Sequence, residues 1–244
     1  MSADTRPPGR RGASGARHSP RASDRPVVLQ RPPSQTDQAY DQIEELIVTL
    51  QLPPGSPVTE AKLVERLGIG RTPVREALQR LARENLVLAL PQRGYLVSHI
   101  DVRMQLRLLE TRREVERLIA RSAARRATPV ERARFHALAD TFEEASRDND
   151  ATSFIRADRD FNELCLEAAR NEFAAGAMQL MHGLSRRFWY MHWRQAADMP
   201  VTARDHAQLA RAIAKGDAEG AARALDVLLD GILAFTKATV TTDF

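Results

Sequence analysis

Arg75, Gln79, Arg80 and Arg83 share one stretch of chain with Val74, Ala77, Leu78 and Leu81. The apolar set recurs at i, i+3, i+4 and i+7, the spacing of a helix packed on one side, so the polar set projects from the rest of it. Guanidinium and amide groups are donors matched to phosphate oxygens and base edges, and the chemistry on offer is nucleic-acid binding. A plainer reading is a solvated face in which Arg75 pairs with Gln79 or near Glu76. A second cluster is Arg186-Arg187-Phe188-Trp189-Tyr190-Met191-His192-Trp193, which holds both Trp and one of three Tyr. Trp189 and Trp193 share a helix face at i, i+4, and arginine beside aromatics suits a ligand with a carboxylate and an apolar body. The plainer reading there is core or dimer interface. Neither cluster is accompanied by a nucleophile–base constellation or by paired Glu-x-x-His motifs.

The first cluster needs elements to hold it. Leu63, Val64 and Leu67 form a narrow apolar stripe on a short preceding helix, and Gly68-Ile69-Gly70 interrupts it with a turn. Thr72 is expected to cap the next helix, with Pro73 at its first position and Asn85 as its left-handed terminator. Leu86–Leu90 and Tyr95–Val97 then flank Pro91-Gln92-Arg93-Gly94, which predicts a two-stranded hairpin. Two helices about a tight turn plus a wing suit a helix in the major groove and an arm beside it.

Charge follows the same plan. Residues 1–35 carry seven Arg against two Asp, a local +5, so the remaining chain is close to neutral in a protein of net charge +4. Residues 65–93 carry six Arg against three Glu, a local +3 on a balanced protein. A coat of general nucleic-acid affinity would be basic throughout. The first 35 residues also hold six of the thirteen Pro and no apolar periodicity, which predicts a disordered tail. There is no apolar region of a secretion signal and no apolar run long enough for a membrane span, so a cytoplasmic protein is expected. The single cysteine, Cys165, excludes an internal disulfide and reads as a buried thiol.

After Asp101 strand patterns vanish. Helices are predicted over about 102–126, 129–147, 150–169, 172–197, 203–214 and 218–238, with Thr128-Pro129 starting one and Met199-Pro200 breaking another. The fold class is mainly α: an N-terminal winged helix-turn-helix with a small β-hairpin wing over 36–100, then an all-α bundle of six to seven helices over 101–244. The centre of such a bundle can host a ligand.

Residues 36–100 resemble the winged-helix domain of GntR-family transcription regulators. The resemblance rests on Leu52-Pro53-Pro54-Gly55, Val58-Thr59-Glu60, Leu67-Gly68-Ile69, Arg71-Thr72-Pro73-Val74-Arg75-Glu76-Ala77-Leu78, Leu81, Leu86-Val87 and Arg93-Gly94. It implies DNA contacts from Arg71, Thr72 and Arg75 and a wing tip at Arg93 and Gly94. Ala61 stands where that family commonly has an operator-contacting Arg, and Gly70 where Ser or Thr is usual. The second half resembles the helical FCD effector-binding domain of the FadR subgroup, through Arg112 with Glu116, Asp158-x-x-Phe161, Ala168-x-x-Asn171 and His206 followed by Ala212-x-x-x-Gly216-Asp217. In many such domains four residues bind a divalent metal. The matching positions here are Asp158, Asn162, His206 and Leu228, so only Asp158 and His206 survive as good ligands. Zinc needs three or four, which Asp226, Asp230, His182 or His192 would have to complete. The expectation is a metal-free pocket lined by Arg112, Asp158, Asn162, Arg186, Trp193 and His206.

The resemblance implies a homodimeric, ligand-responsive regulator of a palindromic operator, more in the manner of a repressor, with a small organic acid as effector and no membrane partner. Two other classes stay open at this point. One is an all-α metal-dependent enzyme, centred on Asp158 and His206, with an accessory nucleic-acid-binding domain. The other is an architectural DNA-binding protein whose helical half is purely structural.

Overall fold

The computed structural model describes Met1, residues 33–196 and residues 198–241. The Arg/Pro-rich tail expected over 1–35 falls almost wholly outside the described residues. Its last positions belong to the fold: Ser34 caps α1 (Gln35–Val48) through a capping box with Asp37. Ala39, Ile43 and Ile47 form the inward stripe of α1 and are fully buried.

Next come β1 (Pro57–Val58), α2 (Glu60–Leu67), α3 (Arg71–Arg83), β2 (Val87–Leu90) and β3 (Gly94–Val97). Thr59 caps α2 by accepting from the Lys62 N–H, and Gly68, at φ +66°, ends it in the left-handed conformation. The cap of α3 differs from the expectation. Gly70 occupies it with no side-chain hydrogen bond, and Thr72 and Pro73 both lie within the first turn. A proline is harmless there, because the first N–H groups of a helix have no intrahelical acceptor. Asn85 follows the helix at φ +59°, as its terminator should. Val74, Ala77, Leu78 and Leu81 are all fully buried.

The wing has three strands rather than two. The order is β1-β3-β2, antiparallel throughout. Val58 pairs with Tyr95, and Leu90 pairs with Gly94. Two-residue β1 was too short to show as periodicity. It also explains Gly94, which is the first residue of β3 and not the tip; the turn is Pro91, Gln92 and Arg93. Gly94 has φ +88°, and a Cβ there would lie 2.8 Å from the Val58 carbonyl oxygen. Gly94→Val is therefore expected to cost about 2 kcal/mol from backbone strain and collision, lowering the melting temperature by roughly 4–8 °C. Calorimetry checks this, and an unchanged melting temperature would remove the packing role of Gly94.

Six helices fill the rest of the described chain: α4 (Val102–Arg126), α5 (Pro129–Asp148), α6 (Ala151–Ala169), α7 (Glu172–Ala196), α8 (Met199–Lys215) and α9 (Ala218–Thr241). The helix boundary expected at Met199-Pro200 is there, with the pair itself opening α8: Asp198 caps the helix and Pro200 sits in its first turn. Thr128 and Glu131 form the capping box of α5. α5 packs on α8, α4 on α9, and α6 against both α4 and α5. Phe135, Phe142 and Leu164 are fully buried where these helices meet. One continuous apolar core runs from α1 and α3 into the bundle, joined where α7 packs on α1. No helix among the described residues is long and apolar enough to cross a membrane.

Candidate nucleic-acid interface and helical-domain cavity

Arg71, Thr72 and Arg75 occupy the first two turns of α3 and face solvent, with the Arg71 and Arg75 side chains 68% and 53% exposed. Neither Gln79 nor Glu76 holds Arg75. Its Nε and Nη2 donate to the two carboxylate oxygens of Glu60, at 2.9 and 3.1 Å. Arg71 Nε lies 3.8 Å from the same carboxylate. The hydrogen bond from Arg75 holds the Glu60 carboxyl below the usual range. Glu60 opens α2, so one carboxylate fixes two guanidinium groups of α3 in a common direction. Glu76 instead accepts from the Thr36 hydroxyl at 2.7 Å.

Arg80 does not project with the others. Its guanidinium carbon lies 3.7 Å from the centroid of the Tyr40 ring, and its Nε donates to Glu84 at 3.2 Å. Tyr40 completes the contact by donating to Glu84 at 2.6 Å. This knot sets α3 against α1. Gln79, Arg83 and Arg93 remain exposed, Arg93 at the wing tip. The surface then presents Arg71 and Arg75, both anchored on Glu60, with Thr72 at one end of α3 and Arg93 on the wing, all of them exposed to solvent.

The second site is a cavity enclosed by α4, α6, α7, α8 and α9 and bordered by α1. It leaves about 110 Å³ open to the centres of water-sized molecules, against roughly 10–15 Å³ needed for one water. Phe154, Phe161, Trp189, Leu225 and Leu228 give it apolar walls, and Arg112, Asp158, Asn162, Arg186 and His206 supply polar groups. Val48 of α1 and Thr49, which follows it, also face the cavity.

Each polar group has a partner. Arg112 donates to Glu116 and to the Ser185 hydroxyl, which Gln105 also contacts at 3.2 Å. His206 Nδ1 lies 2.8 Å from the Thr202 carbonyl, which can only accept, so this nitrogen carries a proton. His206 Nε2 lies 3.1 Å from Asp158 Oδ1. Asn162 donates its amide to Asp158 at 3.1 Å. Burial pushes the Asp158 carboxyl up, but the His206 hydrogen bond and charge outweigh it and leave the carboxyl below its usual value. The His206 ring is walled by Phe142 and Phe154 at centroid distances of 5.1 and 5.3 Å.

These groups do not fit a divalent metal. Among the described residues no three His, Cys, Asp or Glu side chains converge as a metal site. The Asn162 amide is turned to donate, and Leu228 brings only methyl groups. Asp226 and Asp230 are taken by Arg117 and Arg113, at 2.8 and 2.6 Å. His192 packs on Phe188 at 4.7 Å. His182 does line the cavity, and burial, helped by the charge of Arg112, pushes it down to about 4.

Trp193 corrects the expected pocket set. One turn beyond Trp189, it stacks on that ring at 5.7 Å and 8°, and it is Trp189 that lines the cavity. Arg187, also weighed as a pocket group, is buried against the segment after β3. Glu44, Ser185 and Glu60 were missed as organising residues. The Val58-Thr59-Glu60 motif contains the last, but nothing local in the chain pairs Glu44 with α7.

Residues 107–231 match the FCD domain, and residues 35–97 match the domain described as bacterial regulatory proteins, gntR family. The HTH-type transcriptional repressor RspR of Escherichia coli strain K12 is 26% identical over 201 residues, 82% of this chain and 88% of that protein. An HTH-type regulator from an unstable DNA locus of Streptomyces ambofaciens is 42% identical over 62 residues, 25% of this chain and 26% of that protein. The structure of E. coli McbR/YncC superposes with a TM-score of 0.72 at 22% identity, covering 85% of this chain and 99% of that one, a likeness of fold. The fold and its two domains define a winged helix-turn-helix transcription regulator. The chain belongs to the gntR family of bacterial regulatory proteins, in the branch that carries an FCD domain. That places it with transcription regulators.

Proposed function

We propose that the protein is a cytoplasmic, homodimeric repressor whose hold on a palindromic operator is governed by a small carboxylate effector in the helical cavity. The observation that carries the reading is the exposed Arg71, Thr72 and Arg75 surface of α3, organised by Glu60 and flanked by the wing. α3 enters the major groove, where Arg71 and Arg75 meet base edges or phosphates and Thr72 a phosphate. Arg93 approaches the minor groove, and Gly94 lets the wing fold tightly behind it. A two-fold dimer places two such helices on two half-sites, so the operator carries the same symmetry. The cavity works without metal, through Arg112, Arg186 and the Asp158–Asn162–His206 set.

Footprinting on DNA upstream of the gene tests this, with a short protected palindrome as the expected result. Weak, sequence-indifferent, steeply salt-dependent binding would count against it. Arg75→Ala is expected to weaken operator binding by about 1–3 kcal/mol at fixed salt. Unchanged affinity would remove Arg75 from recognition.

A further inference from the structure

Helix α7 grips the winged helix at three neighbouring positions. Gly183 lies so close that a Cβ there would stand 2.6 Å from Leu86 Cδ1 and 3.3 Å from Glu44 Oε1. Arg186 Nη1 donates to both carboxylate oxygens of Glu44, at 2.9 and 3.0 Å, and Nη2 lies 3.6 Å from Glu45 Oε2. Arg187 holds Ser98 and His99. Of the three, Arg186 alone also lines the cavity, and Glu45 of α1 borders it too. Two other basic side chains there are committed within the helical half, Arg112 to Glu116 and Ser185, His206 to Asp158 and Thr202.

We propose that an anionic ligand binds in this cavity by taking Arg186 from Glu44 and Glu45, so that ligand occupancy and the α1–α7 ion pair exclude one another. The proposal rests on the effector reading above and names the residue through which the effector acts. The Nη1–Nη2 end of the Arg186 guanidinium is already turned to Glu44 and Glu45. A carboxylate arriving from the cavity side gains that end only when the two acids yield. Glu44 is only 7% exposed, and burial already pushes its carboxyl up while Arg186 draws it down. Stripped of its partner, a buried carboxylate is costly, so α1 shifts until Glu44 reaches water or takes up a proton. Because α1 packs on α3 through the Tyr40–Glu84–Arg80 knot, that shift reaches the DNA-binding helix. The ligand then acts by preferring one of two placements of α1.

The walls formed by Phe154 and Trp189 suit an aromatic body, which makes benzoate the probe and benzamide its uncharged control. Calorimetry without DNA measures both against the wild-type dimer, Glu44→Gln, Glu45→Gln and Arg186→Gln. Glu44→Gln keeps the shape of the side chain and removes the competing charge, so benzoate affinity is expected to rise about tenfold, the weight of one charge-assisted hydrogen bond. Glu45→Gln moves it the same way by less, Arg186→Gln abolishes it, and benzamide is unaffected. Benzoate binding to none of the proteins, no gain in Glu44→Gln and Glu45→Gln, or an equal gain for benzamide would each overturn the proposal. Operator affinity is measured separately. Absence of operator binding would sink the regulator reading and leave the calorimetric result standing.

Discussion

Replacing Arg187 with alanine is expected to cost the folded protein about 3 kcal/mol and to uncouple its two halves. Arg187 is 1% exposed, and no carboxylate faces it among its contacts. It donates through Nη1 to the Ser98 carbonyl and through Nη2 to the Ser98 hydroxyl, both at 3.0 Å, with the His99 carbonyl at 3.4 Å. Burial pushes it down to about 10, so it remains charged at neutral pH. Alanine removes an expensive charge but leaves a void the size of a long side chain and an unsatisfied carbonyl, and the losses win. Methionine keeps most of the volume and is expected to lose about half as much. Urea unfolding separates these outcomes. Both Trp lie in the helical half, so their fluorescence reports that half while circular dichroism reports both. Non-coincident transitions in Arg187→Ala mark uncoupling. A loss under about 1 kcal/mol would show that the Ser98–His99 segment holds its place without the guanidinium.

Phe142→Ala is expected to cost about 4 kcal/mol, the upper range for a buried aromatic. Phe142 is fully buried on α5, with Phe154, Phe161 and His206 around it at centroid distances of 5.9, 5.8 and 5.1 Å. Truncation opens a void directly behind the His206 ring and loosens its contact with Asp158, so the floor of the cavity slackens as stability falls. Phe142→Leu fills most of that space and is expected to lose about 1.5 kcal/mol. The unfolding free energies of the two variants decide it, and equal losses would mean that the ring contributes no packing of its own.

The elements whose burial repeats along the chain were legible in the sequence. α3 shows through Val74, Ala77, Leu78 and Leu81, and the bundle helices through long runs without strand patterns. What escaped depends on contacts distant in sequence. β1 exists only because Pro57 and Val58 meet Leu96 and Tyr95. The cap of α3 was displaced because Thr72 and Pro73 both tolerate the first turn, and local preference does not choose between registers. Among the site residues, the exposure of Arg75 followed from the helix face and Arg71 was named by the family resemblance, but their common anchor on Glu60 needed α2 folded against α3. The shared face of Trp189 and Trp193 was right as helix geometry. Which ring turns inward was decided by α6, where Phe154 meets Trp189 at 5.4 Å.

The border that α1 lends to the cavity has a consequence for domain exchange. Grafting the winged helix of a relative onto this bundle would carry in a foreign α1, and with it a new wall for the cavity. Unless the graft kept acidic side chains opposite Arg186 and a hydroxyl at the place of Ser98, the hybrid would carry a reshaped cavity along with its new α3 surface. In this architecture the winged helix and the cavity are not independently exchangeable.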